Sequence, residues 1–255
     1  MPAQKEGKYI YCIIGSEQER NFGPVGIDGG EVMTVGYGDL SMVISVHPLN
    51  KLVVNRENML AHEKVIEEVM KEFDSVLPVR FGTIAADAEE IRNLLDRRDR
   101  ELKNALRDMD HKIELGVKGV WKNMDAIFSE IVEENRIIKK MKKQLQSDGG
   151  RNKQAKMELG KLVEAALQKK KTAEADKIVK LLGGLACDHR LNKTHGDEMF
   201  LNAAFLATKG REKEFDNMMD DLSHGYKERM HFLYTGPLPT FNFVKVNIYP
   251  EEWEK

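Results

Sequence analysis

Lys112-Ile-Glu-Leu-Gly-Val-Lys-Gly-Val-Trp121 sets Ile113, Leu115, Val117 and Trp121 on one face and Lys112, Glu114 and Lys118 on the other. A period of two is the signature of a half-buried strand. Segments of helical period lie on both sides of it, so strands and helices share the chain and the fold class is α+β. Upstream, Met59, Val65, Ile66, Val69, Met70 and Phe73 make one helical face over residues 55–73, with Asn55 as its cap. Asp87-Ala-Glu-Glu90 has the form of a capping box, and Ile91, Leu95, Leu102, Leu106 and Met109 carry a second helical stripe. Residues 8–14 read as a strand, and Glu31 to Val46 as two more split by the turn Gly36-Tyr-Gly-Asp39.

Downstream of Trp121 the pattern changes. Residues 122–183 contain no proline and are rich in helix formers up to Ser147-Asp-Gly-Gly150, which predicts two long helices joined there as a protruding hairpin. That stretch holds 15 Lys and Arg against 9 Asp and Glu, so it carries +6 and the remainder −8, for the chain's net −2. A polar loop is expected to about Glu198, then a central strand over Met199–Thr208, and a helix over 211–225 with Phe215, Met218, Met219 and Leu222 inward. Strands over His231–Thr235 and Phe241–Tyr249 flank a Gly-Pro-Leu-Pro turn. The expected division is an N-terminal α+β domain over 1–110 and a C-terminal one over 111–255, interrupted by the hairpin at about 122–183.

At 255 residues the chain can bury a sizeable core in each of two domains. A net charge of −2 offers no global attraction to nucleic acid or anionic lipid. No apolar run approaches the ~20 residues that span a bilayer. The N-terminus lacks the apolar stretch of a signal peptide, and the two cysteines, Cys12 and Cys187, form no CxxC pair, so a cytoplasmic address is expected.

The residue types that carry chemistry are scattered. His62-Glu63 lacks the second histidine of an HExxH site, and Cys187, Asp188, His189 and His195 sit in a polar loop where solvated side chains are the simpler reading. Gly23-Pro-Val-Gly-Ile-Asp-Gly-Gly30 has neither GK[ST] nor GxGxxG spacing and reads as a turn. No serine sits in a nucleophile elbow. Neither a catalytic set, a metal nor a cofactor is expected. The lysine runs 139–143 and 169–171 read first as the solvated face of the hairpin; they lack neighbouring aromatics for base stacking, so as a binding surface they suit an acidic protein partner better than nucleic acid.

Two blocks instead invest in shape. Leu77-Pro-Val-Arg-Phe-Gly-Thr83 reads as a strand ending in a tight Phe-Gly turn, with Arg80 tied into a local carboxylate pair. Gly236-Pro-Leu-Pro-Thr-Phe-Asn-Phe-Val244 reads as a rigid turn feeding a core strand. The first block, with the His62-Glu63 helix before it and the Ile113–Lys118 strand after it, resembles the N-terminal half of the gas vesicle protein F/L family. Asn202-Ala-Ala-Phe-Leu206 and the second block resemble its C-terminal half, and the opening strand Lys8-Tyr-Ile-Tyr-Cys12 also fits. The family's turn reads closer to GPWPPY, where Leu238, Thr240 and Phe241 stand here.

The resemblance implies two α+β domains, the C-terminal one ferredoxin-like with the inserted helical hairpin. It implies an accessory protein of gas vesicle assembly rather than an enzyme. Its expected partners are the small hydrophobic shell protein and other gas vesicle accessory proteins, with no nucleic acid and no membrane. The residues it marks as structural or partner-binding are Leu77, Pro78, Arg80, Phe81, Gly82, Gly236, Pro237, Pro239, Phe241 and Phe243. An exposed apolar surface on the shell protein would need cover until it is incorporated, and strand addition at Phe241–Ile248 is one way to supply it. The competing reading is a ferredoxin-like regulatory or nucleic-acid-binding module, which would need an RNP-like aromatic string that the sequence lacks.

Overall fold

A computed structural model describes residues 5–49, 52–147, 149 and 152–244. The chain divides into two compact units, Met1–Glu114 with Pro237–Lys255, and Leu115–Gly236. The expected division at 110 differs from this at its C-terminal end, because the chain from Pro237 onward belongs to the first unit.

Unit 1 contains β1 (Glu6–Gly15), β2 (Asn21–Gly23), β3 (Val32–Tyr37), β4 (Leu40–Pro48), α1 (Arg56–Glu72), β5 (Val76–Pro78), β6 (Ile84–Ala85), α2 (Ala88–Arg97) and α3 (Asp99–Asp108). The strands form an antiparallel sheet in the order β2-β3-β4-β1-β5, with β6 also pairing β1. Ile10, Ile13 and Leu77 pack on one face against Leu95 of α2 and Leu102 and Leu106 of α3. Tyr9, Tyr11, Cys12 and Ile14 pack on the other against Val65, Ile66 and Val69 of α1. Cover on both faces is why β1 reads as a continuous apolar run rather than an alternation. Each fully buried aliphatic side chain here contributes about 1.5–3 kcal/mol.

The pairing of β1 with β4 shifts register between Ile10 and Cys12. This bulge at Tyr11 resets the alternation, so Tyr9, Tyr11, Cys12 and Ile14 all face α1. Asn55 caps α1, its side chain accepting from the Asn58 N–H at 2.7 Å. Asp87 caps α2 by accepting from the Glu89 and Glu90 N–H groups. The second helical stripe is two helices rather than one, broken at Arg98, whose backbone leaves the helical region at φ −111°, ψ 15°. Met59, expected on the inward face of α1, is 50% exposed.

The expected strand Phe241–Tyr249 is a turn over Phe241–Phe243; residues 245–249 lie outside the described residues. The Phe243 and Val244 N–H groups both donate to the Thr240 carbonyl at 3.0 Å, closing a helix-like turn. Glu114 fastens it. Its carboxylate accepts from the Asn242 backbone N–H at 2.9 Å and from Asn242 Nδ2 at 2.6 Å. Val244 packs against the cluster of Ile10 and Leu106, which places this segment in unit 1.

In unit 2 the elements run β7 (Lys112–Trp121, entering from unit 1), α4 (Met124–Glu134), α5 (Arg136–Ser147), α6 (Lys153–Gly183), β8 (Asp188–Leu191), β9 (Met199–Thr208), α7 (Glu212–Gly225) and β10 (Met230–Leu238). The sheet order is β10-β7-β9-β8. β8 falls in the expected polar loop; all four of its residues are exposed, so it has no apolar face to betray it. Over 122–183 the described residues form three helices instead of two. Asn135 makes the extra break: its backbone is extended, and its side chain accepts from the Ile137 and Ile138 N–H groups to start α5. The buried residues of α6 lie between Leu167 and Leu182, leaving its first half solvated.

Trp121 stacks on Phe200 with centroids 5.3 Å apart, and its indole N–H donates to Glu174 Oε2 at 2.6 Å. Arg229 donates to both oxygens of Glu130 at 2.6 and 2.9 Å and to Glu174 Oε1 at 2.6 Å. Lys170 adds ion pairs to Glu130 and Glu134. The Arg229 contact, foremost, holds the Glu130 carboxyl down at about 2.

Candidate functional site

The first turns of α1 leave apolar side chains in water. Leu60 is 53% exposed and Val54, just before the Asn55 cap, is 69% exposed. Together with Met59 they border a cavity of about 820 Å³ whose other walls are Pro78, Arg80 and Phe81 from the first sequence block and Phe241 and Val244 from the second. Asn55, Arg56, His62 and Glu63 complete the polar part of the lining. Segments some 160 residues apart in sequence thus build one groove in unit 1.

The floor is rigid. Gly82 holds φ +85°, a left-handed conformation that favours glycine, and its N–H donates to the Tyr9 hydroxyl at 3.1 Å. The Tyr9 O–H donates to His62 Nδ1 at 2.8 Å, and His62 Nε2 donates to the Val79 carbonyl at 3.1 Å. The carbonyl can only accept, so the imidazole carries its proton on Nε2. Tyr11 stacks on the same ring at 5.5 Å, and Phe241 lies 6.2 Å from it. Burial pushes the His62 pKa down to about 4 and pushes the Tyr9 hydroxyl up, so the chain is neutral and fully paired at pH 7. Burial, and then Glu67, raises the Glu63 carboxyl.

Of the residues singled out from sequence, Pro78, Arg80, Phe81 and Phe241 line the groove. Leu77 faces the opposite side of the sheet, in the core with α2 and α3. Gly82 shapes the turn; Pro239 and Phe243 are buried beneath the second block; Gly236 and Pro237 are exposed at the end of β10. Arg80 is not tied to a carboxylate: it is exposed and in no ion pair with any described residue. The turn Arg80–Thr83 is closed instead by Thr83, whose N–H and hydroxyl donate to the Arg80 carbonyl. Val54, Arg56, Met59, Leu60, His62 and Glu63 were not predicted as site residues. Their signal was Val54 and Met59 at the spacing of a hydrophobic staple, followed by a Leu60 that the inward face does not need.

Thr240 stands where the resembled family favours proline, and its hydroxyl oxygen is buried without a hydrogen-bond partner among the described residues. Replacing it by an isosteric methyl removes an unmet polar group. Thr240→Val is therefore expected to stabilise the protein by about 1 kcal/mol, read as a higher thermal midpoint. A lower midpoint would show that the hydroxyl is satisfied.

The arrangement presents apolar surface and two arginines around a neutral hydrogen-bonded floor. Among the described residues no three His, Cys, Asp or Glu side chains are placed to hold a metal ion. No helix of the described chain is long and apolar enough to cross a membrane. His189 of the expected polar loop stacks on Phe205, and Asp188 accepts from Arg190.

The chain is 28% identical to gas vesicle protein F of Streptomyces sp., over 93% of this chain and 99% of that protein. It is 26% identical to gas vesicle protein F1 of Halobacterium salinarum, over 97% of each. The crystal structure of the gas vesicle protein GvpF from Anabaena sp. PCC7120 superposes with a TM-score of 0.81 at 23% identity, covering 95% of this chain and all of that one, and so shares the fold. The family model described as gas vesicle synthesis protein GvpL/GvpF matches residues 7–245, spanning both units and every motif quoted above, and the chain belongs to that family.

Proposed function

We propose that the protein is an accessory factor of gas vesicle assembly, working in the cytoplasm at growing vesicles, and that the groove of unit 1 holds an apolar segment of the small shell protein until it is incorporated. The observation that carries this is the convergence of both family motifs on one exposed apolar groove. Apolar surface of this kind on a folded protein marks a place where something binds. A preformed groove with exposed Leu60 and Phe241 favours docking of a side-chain-bearing face over strand addition, because Phe241–Phe243 is a turn.

Unit 2 then serves other accessory proteins. Its order β7, helices, β8, β9, α7, β10 with strands arranged β10-β7-β9-β8 supports the ferredoxin-like reading. Contacts of α5 with α6 support the reading of those helices as a hairpin, whose basic surface suits an acidic protein.

The test is binding of purified shell protein to the Leu60→Ser/Phe241→Ser double variant. Both side chains are about half exposed, so the variant keeps the core; Phe243→Ser would not, since Phe243 is 8% exposed. Affinity is expected to fall at least about tenfold, the equivalent of two partly buried apolar groups. Unchanged affinity would remove the groove from the interface. Salt-sensitive RNA binding with no shell-protein binding would favour the nucleic-acid module.

A further inference from the structure

β8 is the outermost strand of the sheet of unit 2, pairing β9 from Asp188 opposite Leu206 to Leu191 opposite Ala203. The Asn192 N–H donates to the Asn202 carbonyl at 2.7 Å. In an antiparallel ladder every second residue bonds inward, so Asp188 and Arg190 share that direction and the backbone of His189 and Leu191 faces away from β9. Among the described residues no further strand pairs with that side.

The outward groups of His189 are covered by its two neighbours. Its N–H donates to Asp188 Oδ1 at 2.8 Å, and Arg190 Nη1 donates to its carbonyl at 3.2 Å. The same side chains hold each other, with Arg190 Nη1 donating to Asp188 Oδ1 at 3.2 Å and Nη2 lying 2.9 Å from Oδ2. Both are 44% exposed, so the ion pair adds little to stability. What it does is occupy the donor and acceptor that an incoming strand would use. Charge on a short edge strand is a known means of blocking edge-to-edge pairing. Beneath it His189 stacks on Phe205, and Leu191 stands 58% exposed.

The charges also select a partner. A two-fold axis through His189 sets two antiparallel β8 strands with Asp188 opposite Arg190 and Arg190 opposite Asp188. Two ion pairs between chains then replace one within each. An axis through Arg190 would oppose arginine to arginine, and one through Leu191 would set Arg190 and Asp188 opposite Asn192 and Thr194. Only the axis through His189 is complementary, and it also lets the two His189 backbones exchange both their hydrogen bonds.

We propose that β8 is a strand-addition edge for the β8 of a second copy of this chain, held closed in the single chain by the Asp188–Arg190 pair. Opening it exchanges one ion pair for another and gains only the bonds of a four-residue strand, so the unaltered protein is expected to be monomeric in dilute solution. The inference involves unit 2 alone and is independent of the groove.

The test uses two full-length variants that open the edge and dictate which copies can pair. Arg190→Asp leaves two acidic side chains on that face and Asp188→Arg two basic ones, both at exposed positions where circular dichroism is expected to be unchanged. Each alone is expected to sediment as a monomer. Mixed in equal amounts they are expected to form a species of twice the mass, which high salt dissociates. Adding His189→Cys to both, on a Cys187→Ser background, places the register, since Cα atoms of a hydrogen-bonded pair lie about 5.5 Å apart and suit a disulfide. The remaining Cys12 is buried. Leu191→Cys in its place lies about 13 Å from its counterpart and is expected not to cross-link. A mixture that stays monomeric overturns the proposal, as does dimerisation of either variant alone or cross-linking at position 191 instead of 189. Dimerisation of the unaltered protein as strong as that of the mixture would show that the pair closes nothing.

Discussion

Acidification from pH 6.5 to 4 is expected to remove about 3 kcal/mol of stability through His62 alone, the equivalent of its pKa displacement to about 4. The cause is burial: the ring is 3% exposed and its two nitrogens are committed to Tyr9 and Val79. In the unfolded chain the imidazole takes a proton below its ordinary 6.5, while the folded one resists until about 4. The contribution is therefore complete above pH 6.5 and is lost as the pH falls through that window. Glu63 and Glu114 act in the opposite sense, since burial raises both carboxyls and the folded state then gains by binding their protons. Urea unfolding of wild type and His62→Gln at stepped pH separates the two, because glutamine can accept from Tyr9 and donate to Val79 without titrating. Parallel pH profiles for the two proteins would show that His62 is not the group responsible.

Arg229→Met is expected to cost about 3 kcal/mol, the low end for breaking a buried pair because Arg229 keeps about a third of its side chain in water. The loss comes less from the arginine than from what it leaves behind. Glu174 is 9% exposed, and without Arg229 its carboxylate retains only the Trp121 indole N–H of the contacts described. Glu174→Gln on the Arg229→Met background removes the stranded charge and is expected to recover part of the stability. Denaturant midpoints of the four proteins of this cycle measure the coupling. Additive effects would mean that the two residues act independently.

The sequence made legible those elements whose apolar pattern mirrors their burial, one-sided in α1 and two-sided in β9. β7, β9, α1 with its Asn55 cap and the Asp87 cap of α2 stand where the pattern predicts them. The misses share a different physics. Asn135 and Arg98 break helices through local side-chain hydrogen bonds or backbone angles that leave the apolar stripe intact. β8 is solvated on both faces and has no period to read. The bulge at Tyr11 inserts one residue into a run that is apolar throughout, so the sequence cannot reveal which face each tyrosine takes. The candidate site was half legible: the two shape-fixing blocks mark its walls, but nothing in either tells that they meet. The arginine in the first block was expected to be paired and is open to solvent, because the turn that displays it is closed by Thr83 instead.

The division of the chain has a consequence for the order of events at the ribosome. Unit 1 is discontinuous: residues 115–236 are made between its sheet and the Phe241–Val244 wall of its groove. At ~5–20 residues per second that interval is on the order of 10 s. Throughout it the nascent sheet already offers Leu60 and Phe81, but the facing wall does not yet exist. The groove is thus closed only when translation has passed Val244, long after the sheet that forms its floor.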